Sequence, residues 1–276
     1  MKYQFYILFL FQVVFLISCK QESKNEELIL VKGGAFKNSR TNFSGSNITI
    51  PDFYIGKHEV SQKEWNEIMG KNPSKFKGDN LPVETVTWYD CIAFCNKKSQ
   101  KEGLVPYYTL DTTKTDLEKK DEKDNLKWLV GTNQGANGYR LPTTIEWEYA
   151  ASGGQLSKDY IYSGSNDAKE AGWFYANSGD KELLGFWNWS EIQKNNCKTK
   201  PISSKISNEL GLFNMSGNVK EWCYGWHALE GETVKERPWK GGGWAGADFC
   251  TEIAYEGSYV GNSKGEDQGL RLCKNK

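Results

Sequence analysis

The chain has 276 residues, room for one large domain or two small ones. Lys+Arg and Asp+Glu are 35 each, so there is no basic field of the kind a nucleic-acid surface needs. Mean hydropathy is −0.66, yet aromatics make up 14% with 11 Trp, the balance of a soluble domain with an aromatic core or binding face.

Met1–Ser18 reads as an export signal, with Lys2 at the positive end and a nearly unbroken apolar run over Ile7–Ile17. That run is short for a membrane-spanning helix. It ends in Leu16-Ile17-Ser18-Cys19, which resembles the lipobox of bacterial lipoproteins. The resemblance implies cleavage before Cys19 and diacylation of that residue; an ordinary secretory signal is the alternative. Residues 19–27 are polar and charged after Cys19 and read as a tether. One domain then spans 28–276.

Within it, Leu28–Val31 before Gly33-Gly34 predicts a first strand and turn, and Phe53–Val60 a second strand. Ser61-Gln-Lys-Glu64 is a capping-box pattern, predicting a helix over Gln62–Met69 with Trp65, Ile68 and Met69 inward. Asp90 is placed to cap a helix in which Trp88, Cys91, Ile92 and Cys95 recur at helical spacing. Asp111–Lys127, dense in charge of both signs, reads as a solvated hairpin tip or loop. Thr143-Thr-Ile-Glu146 opens a third helix ending near Ala151. Residues 155–206 show no period and read as long surface loops; Trp187 and Trp189 within them fit core and surface equally.

Leu210-Gly-Leu-Phe-Asn-Met-Ser-Gly-Asn-Val-Lys-Glu-Trp222 suits neither helix nor strand. Gly211, Gly217 and Asn218 can adopt left-handed backbone angles, and the apolar residues anchor the turn. Asn214 and Glu221 side chains with the Gly217 and Val219 carbonyls could give four oxygens to a hard cation. Equally, Asn214 could close a turn and Glu221 pair with an arginine. Only four Arg occur, and Arg140 and Arg271 read as structural partners for carboxylates such as Glu146, Glu148 or Glu221. His58 and His227 form no metal spacing and read as packing residues.

Further runs stand in order: Gly33-Gly34-x-Phe36, Gly56-Lys-His-Glu-Val-Ser61, Leu81-Pro-Val-Glu-Thr-Val-Thr-Trp88, Gly138-Tyr-Arg-Leu-Pro-Thr143, Glu146-Trp-Glu-Tyr-Ala150, Gly241-Gly-Gly-Trp244 and Gly269-Leu-Arg271. With the 210–222 stretch, they resemble the formylglycine-generating enzyme (sulfatase-modifying factor) family. The resemblance implies an α+β domain with a C-type-lectin-like fold of that family's subtype and little regular secondary structure. It implies a structural calcium ion at Asn214, Gly217, Val219 and Glu221. It places Cys95 at a position that bridges to the C-terminal strand, where Cys273 lies one residue out of register. Oxidase members of the family bind copper through a cysteine pair soon after the Gly-Gly-Ser-Trp-like run. Counted without gaps, those positions are Gly246 and Thr251 here, with Cys250 one residue off. The copper pair is therefore absent from this sequence, which argues against the oxidase.

Ala245–Asn262 interleaves aromatics with Gly, Ala and Ser, as binding loops do. The sequence also resembles variable proteins of diversity-generating retroelements, including a treponemal variable lipoprotein, which carry a mutated C-terminal patch on this fold. Gly246, Ala247, Asp248, Phe249, Thr251, Gly257, Ser258, Tyr259 and Asn262 are the expected contact residues, while Trp244 and Tyr255 are expected to pack inward. The reading is a lipid-anchored protein of the bacterial cell envelope, surface-exposed or periplasmic. Its C-terminal patch binds a protein or glycan ligand, and no nucleic acid. A formylglycine-generating oxidase and a structural envelope protein are the alternatives.

Overall fold

The computed structural model describes residues 28–116, 123–228 and 235–276. The expected export signal, Cys19, the expected tether and part of the charged 111–127 stretch lie outside the described residues.

The first and last described strands flank Phe53–Gly56 in one antiparallel sheet. Its order is Leu28–Val31, Phe53–Gly56, Cys273–Asn275 and Tyr139–Arg140, with Ile55 opposite both Ile29 and Cys273. The expected strand from Phe53 to Val60 stops at Gly56. Beyond it the backbone turns to other partners: the Gly56 carbonyl accepts from Arg271, and Val60 N donates to the Leu270 carbonyl. A second sheet runs Gly257–Tyr259, Lys235–Lys240, Lys220–Trp222 and Gln268–Gly269, the last pair parallel. His227–Ala228 pairs with the start of Lys235–Lys240.

Three helices pack on these sheets. Gln62–Met69 begins where Ser61 Oγ accepts from Glu64 N and ends at Gly70, whose φ of 76° suits glycine. Trp65 is its buried apolar residue, whereas Ile68 and Met69 are only half-buried. Trp88–Lys101 is capped by Thr87, with Asp90 closing the box from the third helical position rather than capping it. Thr144–Ala151 has the full Thr143/Glu146 box.

The aromatic content is mostly core. Trp65 stacks on Phe94 at 4.9 Å, and Trp88, Trp147 and Trp222 are fully buried. Tyr108–Thr115 pairs with Trp128–Thr132 in a hairpin, so the start of the 111–127 stretch, to Thr115, is strand rather than tip or loop. Residues 155–206 are mostly loop but also hold short helices at Ala168–Ala171 and Trp189–Lys194. These are too brief for a sequence period to show. Among the described residues no helix is long and apolar enough to cross a membrane.

Candidate functional site

The 210–222 turn is buried and irregular. Asn214 and Asn218 take φ of 52° and 66°, and Gly217 takes 81°. A Cβ on Gly217 would lie 2.2 Å from the Trp173 carbonyl oxygen, so only glycine fits there. Lys220–Trp222 then leaves the turn as a central strand of the second sheet.

Glu221 takes the arginine partner. Arg271 Nε and Nη2 donate to its carboxylate at 2.7–3.0 Å, and Trp147 Nε1 donates to Oε2 at 2.6 Å. Neither Arg271 nor Glu221 is exposed. Those donors fill the carboxylate's acceptor sites and neutralise its charge. Asn214 differs: its Oδ1 is buried without a hydrogen-bond partner among the described residues, while its amide donates to Glu59 Oε2. Asn218 donates to Glu59 Oε1, and burial pushes the Glu59 pKa up to about 8. As a set, Asn214, Gly217, Val219 and Glu221 do not fit calcium. Asn214 offers a free oxygen, but the anionic ligand is already paired.

Arg140 likewise pairs with Glu146 at 2.7 Å, and Glu148 goes to Lys240 instead. His58 Nδ1 contacts the Ile202 carbonyl and its ring stacks on Phe213; His227 Nδ1 contacts Glu256. Cys95 and Cys273 are buried free thiols, so the expected bridge is not formed.

Past Trp244 the chain opens a cleft of about 520 Å³. Gly246 and Ala247 line it, Phe249 and Tyr259 stand in its walls, and Trp187, Trp239 and Tyr255 complete an aromatic surround. Tyr259 stacks on Trp239 at 5.7 Å, and Tyr255 meets both Trp239 and Phe249 at 5.7 Å. Lys220 and Asp267 pair at 2.8 Å within it, both 13% exposed. Lys220 Nζ lies 5.2 and 5.3 Å from the Trp239 and Tyr259 ring centroids. Burial works against the ammonium, but Asp267 beside it holds the Lys220 pKa above the usual lysine value. Lys220 thus already occupies the cation position over these rings, and the open part of the cleft is apolar.

Four of the nine expected contact residues therefore meet here: Gly246, Ala247, Phe249 and Tyr259. Asp248 is exposed beside them at the start of the short Asp248–Thr251 helix. Thr251 is fully buried, with its hydroxyl on the Asp248 carbonyl. Gly257 packs under Trp239, where a Cβ would lie 2.1 Å from the ring. Ser258 donates to Glu236, and Asn262 donates to the Lys123 carbonyl. These four do not line the cleft. Tyr255, expected to pack inward, lines it, whereas Trp244 is buried as expected. Trp187, Trp239 and Lys220 come from distant segments with no local signal pointing to the patch.

The same cleft tests copper. Cys250 is the sole sulfur lining it, and burial pushes its thiol pKa up. Copper(I) chemistry of the oxidase kind needs a second thiolate, and Gly246 and Thr251 supply none. These residues do not fit copper.

In the segment that leads to Trp187, Leu184 is 86% exposed and Phe186 fully exposed. Trp187 is half exposed, with its Nε1 on the Ala245 carbonyl at 2.6 Å. Phe249 in the cleft wall is 53% exposed, so with Trp187 it gives the opening an apolar rim.

The family described as the sulfatase-modifying factor enzyme 1-like domain matches residues 15–276. "Chaperone protein LppX" of Paenibacillus barcinonensis is 52% identical over 255 residues, covering 91% of this chain and 90% of that protein. The solved structure of Treponema denticola variable protein 1 is 29% identical, with a TM-score of 0.68 over 89% of this chain and 95% of that one. The formylglycine-generating enzyme of Bos taurus is 31% identical over 195 residues, 66% of this chain and 40% of the enzyme.

Proposed function

The chain belongs to the sulfatase-modifying factor enzyme 1-like family, with its C-type-lectin-like fold, and from that premise we propose that it binds rather than oxidises. The cleft holds an apolar segment of another polypeptide, and the protein acts as a chaperone of the cell envelope. One observation carries this reading: an apolar cleft walled by Trp187, Trp239, Tyr255, Tyr259 and half-exposed Phe249, whose one lysine and one aspartate are already paired with each other and whose one thiol has no second thiolate beside it. Aromatic rings give contact area at low entropic cost, and Gly246 and Ala247 leave room for a main chain. The name of the Paenibacillus relative supports a chaperone role over a glycan ligand. The Leu-Ile-Ser-Cys19 sequence supports export and a lipid anchor. Mass spectrometry of the mature N terminus tests that anchor, and an unacylated start elsewhere than Cys19 contradicts it.

Binding is tested by aggregation of reduced insulin B chain in the presence of the full chain. Near-stoichiometric suppression is expected, weakened in Phe249→Ala. Aggregation at the rate seen without the protein contradicts the reading. A second reading, a patch diversified by mutation, draws on the likeness to the treponemal variable protein. Lys, Glu, Gln, Met and Trp, which adenine mutation of AAC-type codons cannot produce, are represented in Ala245–Ser263 only by Glu252 and Glu256. A near-copy of the 3′ coding sequence differing at adenines, beside a reverse transcriptase, is its test.

A further inference from the structure

We propose that the groove between Phe76–Leu81 and Lys198–Pro201 binds an acidic peptide segment continuous with the apolar segment in the aromatic cleft. The proposal rests on the polypeptide-binding reading of that cleft.

The groove has a volume of about 700 Å³ and is lined by Lys75, Lys77, Lys198 and Lys200, with Asp79 as its one carboxylate. Lys75 pairs with Glu266 at 2.6 Å and Lys77 donates to the Asn72 carbonyl. Lys198 and Lys200 have no carboxylate at salt-bridge distance among the described residues, and Lys200 Nζ lies 5.5 Å from the Trp173 ring centroid. Burial and the charge of Lys198 lower the Lys200 pKa, as expected where ammonium groups crowd together.

Both walls are held by buried polar side chains. Gln62, 1% exposed, donates to the Phe76 carbonyl and accepts from Gly78 N. Glu84 accepts from Phe76 N. Across the groove, Asn218 grips Lys200 at both its N–H and its carbonyl. The lysines therefore project from ordered backbone, which lowers the entropic cost of binding. The same bonds engage amides at Phe76, Gly78 and Lys200 that an oxyanion nest would need. Separate point charges along a groove instead suit carboxylates spaced along a chain.

A pocket lined by Phe76, Trp189, Lys198 and the edge of buried Trp244, with Asp180 and Glu266 also in its wall, adjoins this groove on the side of the cleft. Trp187 in the cleft wall stacks on Trp189 at 6.3 Å, and Trp189 meets Trp244 at 6.2 Å. Trp244 meets Phe76 edge-on at 5.5 Å, and Phe76 stands between Lys75 and Lys77. A twelve-residue extended peptide reaches about 40 Å, enough to test whether one chain engages both ends.

The test is fluorescence anisotropy of the full chain with three labelled peptides at low and high salt. One carries Phe-Leu-Phe in a Gly/Ser background, one carries the same run followed by four glutamates, and one carries the glutamates alone. The glutamate tail is expected to tighten binding about tenfold, with the gain eroded by salt. The double variant Lys198→Gln/Lys200→Gln should lose that gain while keeping its affinity for the apolar peptide and its thermal midpoint. An apolar peptide that binds with no gain from the tail, or a gain that survives the double variant, overturns the groove and leaves the cleft reading intact. Glutamate binding without apolar binding overturns the cleft reading and the joined track with it. No binding of any peptide overturns both.

Discussion

Arg271 and Glu221 form an ion pair closed to solvent on both sides, with Nη2 2.7 Å from Oε1. The guanidinium also donates to the Gly56 and Phe213 carbonyls, so it ties the 210–222 turn to the first sheet. Breaking one side strands a buried charge. Glu221→Gln is expected to destabilise the fold by about 3–5 kcal/mol in urea unfolding. Arg271→Lys should also be costly, because an ammonium cannot reproduce the planar fork. A change within experimental error for both would show the pair to be dispensable.

The same pair bears on calcium. With Glu221 neutralised by Arg271, a divalent cation at Asn214 has lost its anionic ligand. Chelator is therefore expected to leave the thermal midpoint unchanged. A midpoint that falls with chelator and recovers on adding calcium would reinstate the four-residue site, with Asn214 Oδ1 as its first ligand.

The two aromatic candidates should separate in stability. Phe249 is 53% exposed, so Phe249→Ala should change unfolding free energy by no more than about 0.5 kcal/mol. Tyr259 stacks on Trp239 and meets Trp222 edge-on, so Tyr259→Ala should cost about 1–3 kcal/mol. Equal effects in differential scanning calorimetry would contradict this division of one surface ring and one half-core ring.

Much of the scaffold was legible because its signals are local. The Thr143/Glu146 box and the inward Trp65 are set by neighbours within one helical turn. The arginine partner of Glu221, one of two readings open in sequence, also holds. The cleft was less legible. Gly246, Ala247, Phe249 and Tyr259 fall in one composition-biased stretch, but Trp187, Lys220 and Trp239 reach it through tertiary packing. Thr251 shares the small, polar look of that stretch and is core, because its hydroxyl closes the Asp248–Thr251 helix. Gly257 is equally misleading: it is small to admit the Trp239 ring, not a ligand.

Glu59 gives the fold a pH dependence. Its folded pKa of about 8 lies above its ordinary value near 4.5 because burial disfavours the carboxylate and outweighs the nearby Arg271 charge. The folded state therefore holds the proton more tightly than the unfolded state. That stabilisation is fully present below about pH 4.5 and is lost as pH rises to about 8. Stability should fall across pH 5–8 by an amount on the order of a few kcal/mol and then level. In Glu59→Gln that component should vanish. An unchanged slope in the variant would assign the dependence to other groups.

If the aromatic cleft binds polypeptide, filling it at Gly246 should block binding. Gly246 lines the cleft, and a Cβ there would sit at ordinary contact distance, 3.4 Å from the Gly243 carbonyl oxygen, so Gly246→Leu adds bulk at the cleft without a backbone clash at Cβ. The measurement is the dissociation constant of the labelled Phe-Leu-Phe peptide for the full chain and for Gly246→Leu, at matched thermal midpoints. Saturable binding to the parent protein and at least about a tenfold loss in the variant are expected, the scale of an interface hot spot. Equal affinity in the two proteins would place the binding surface outside the cleft.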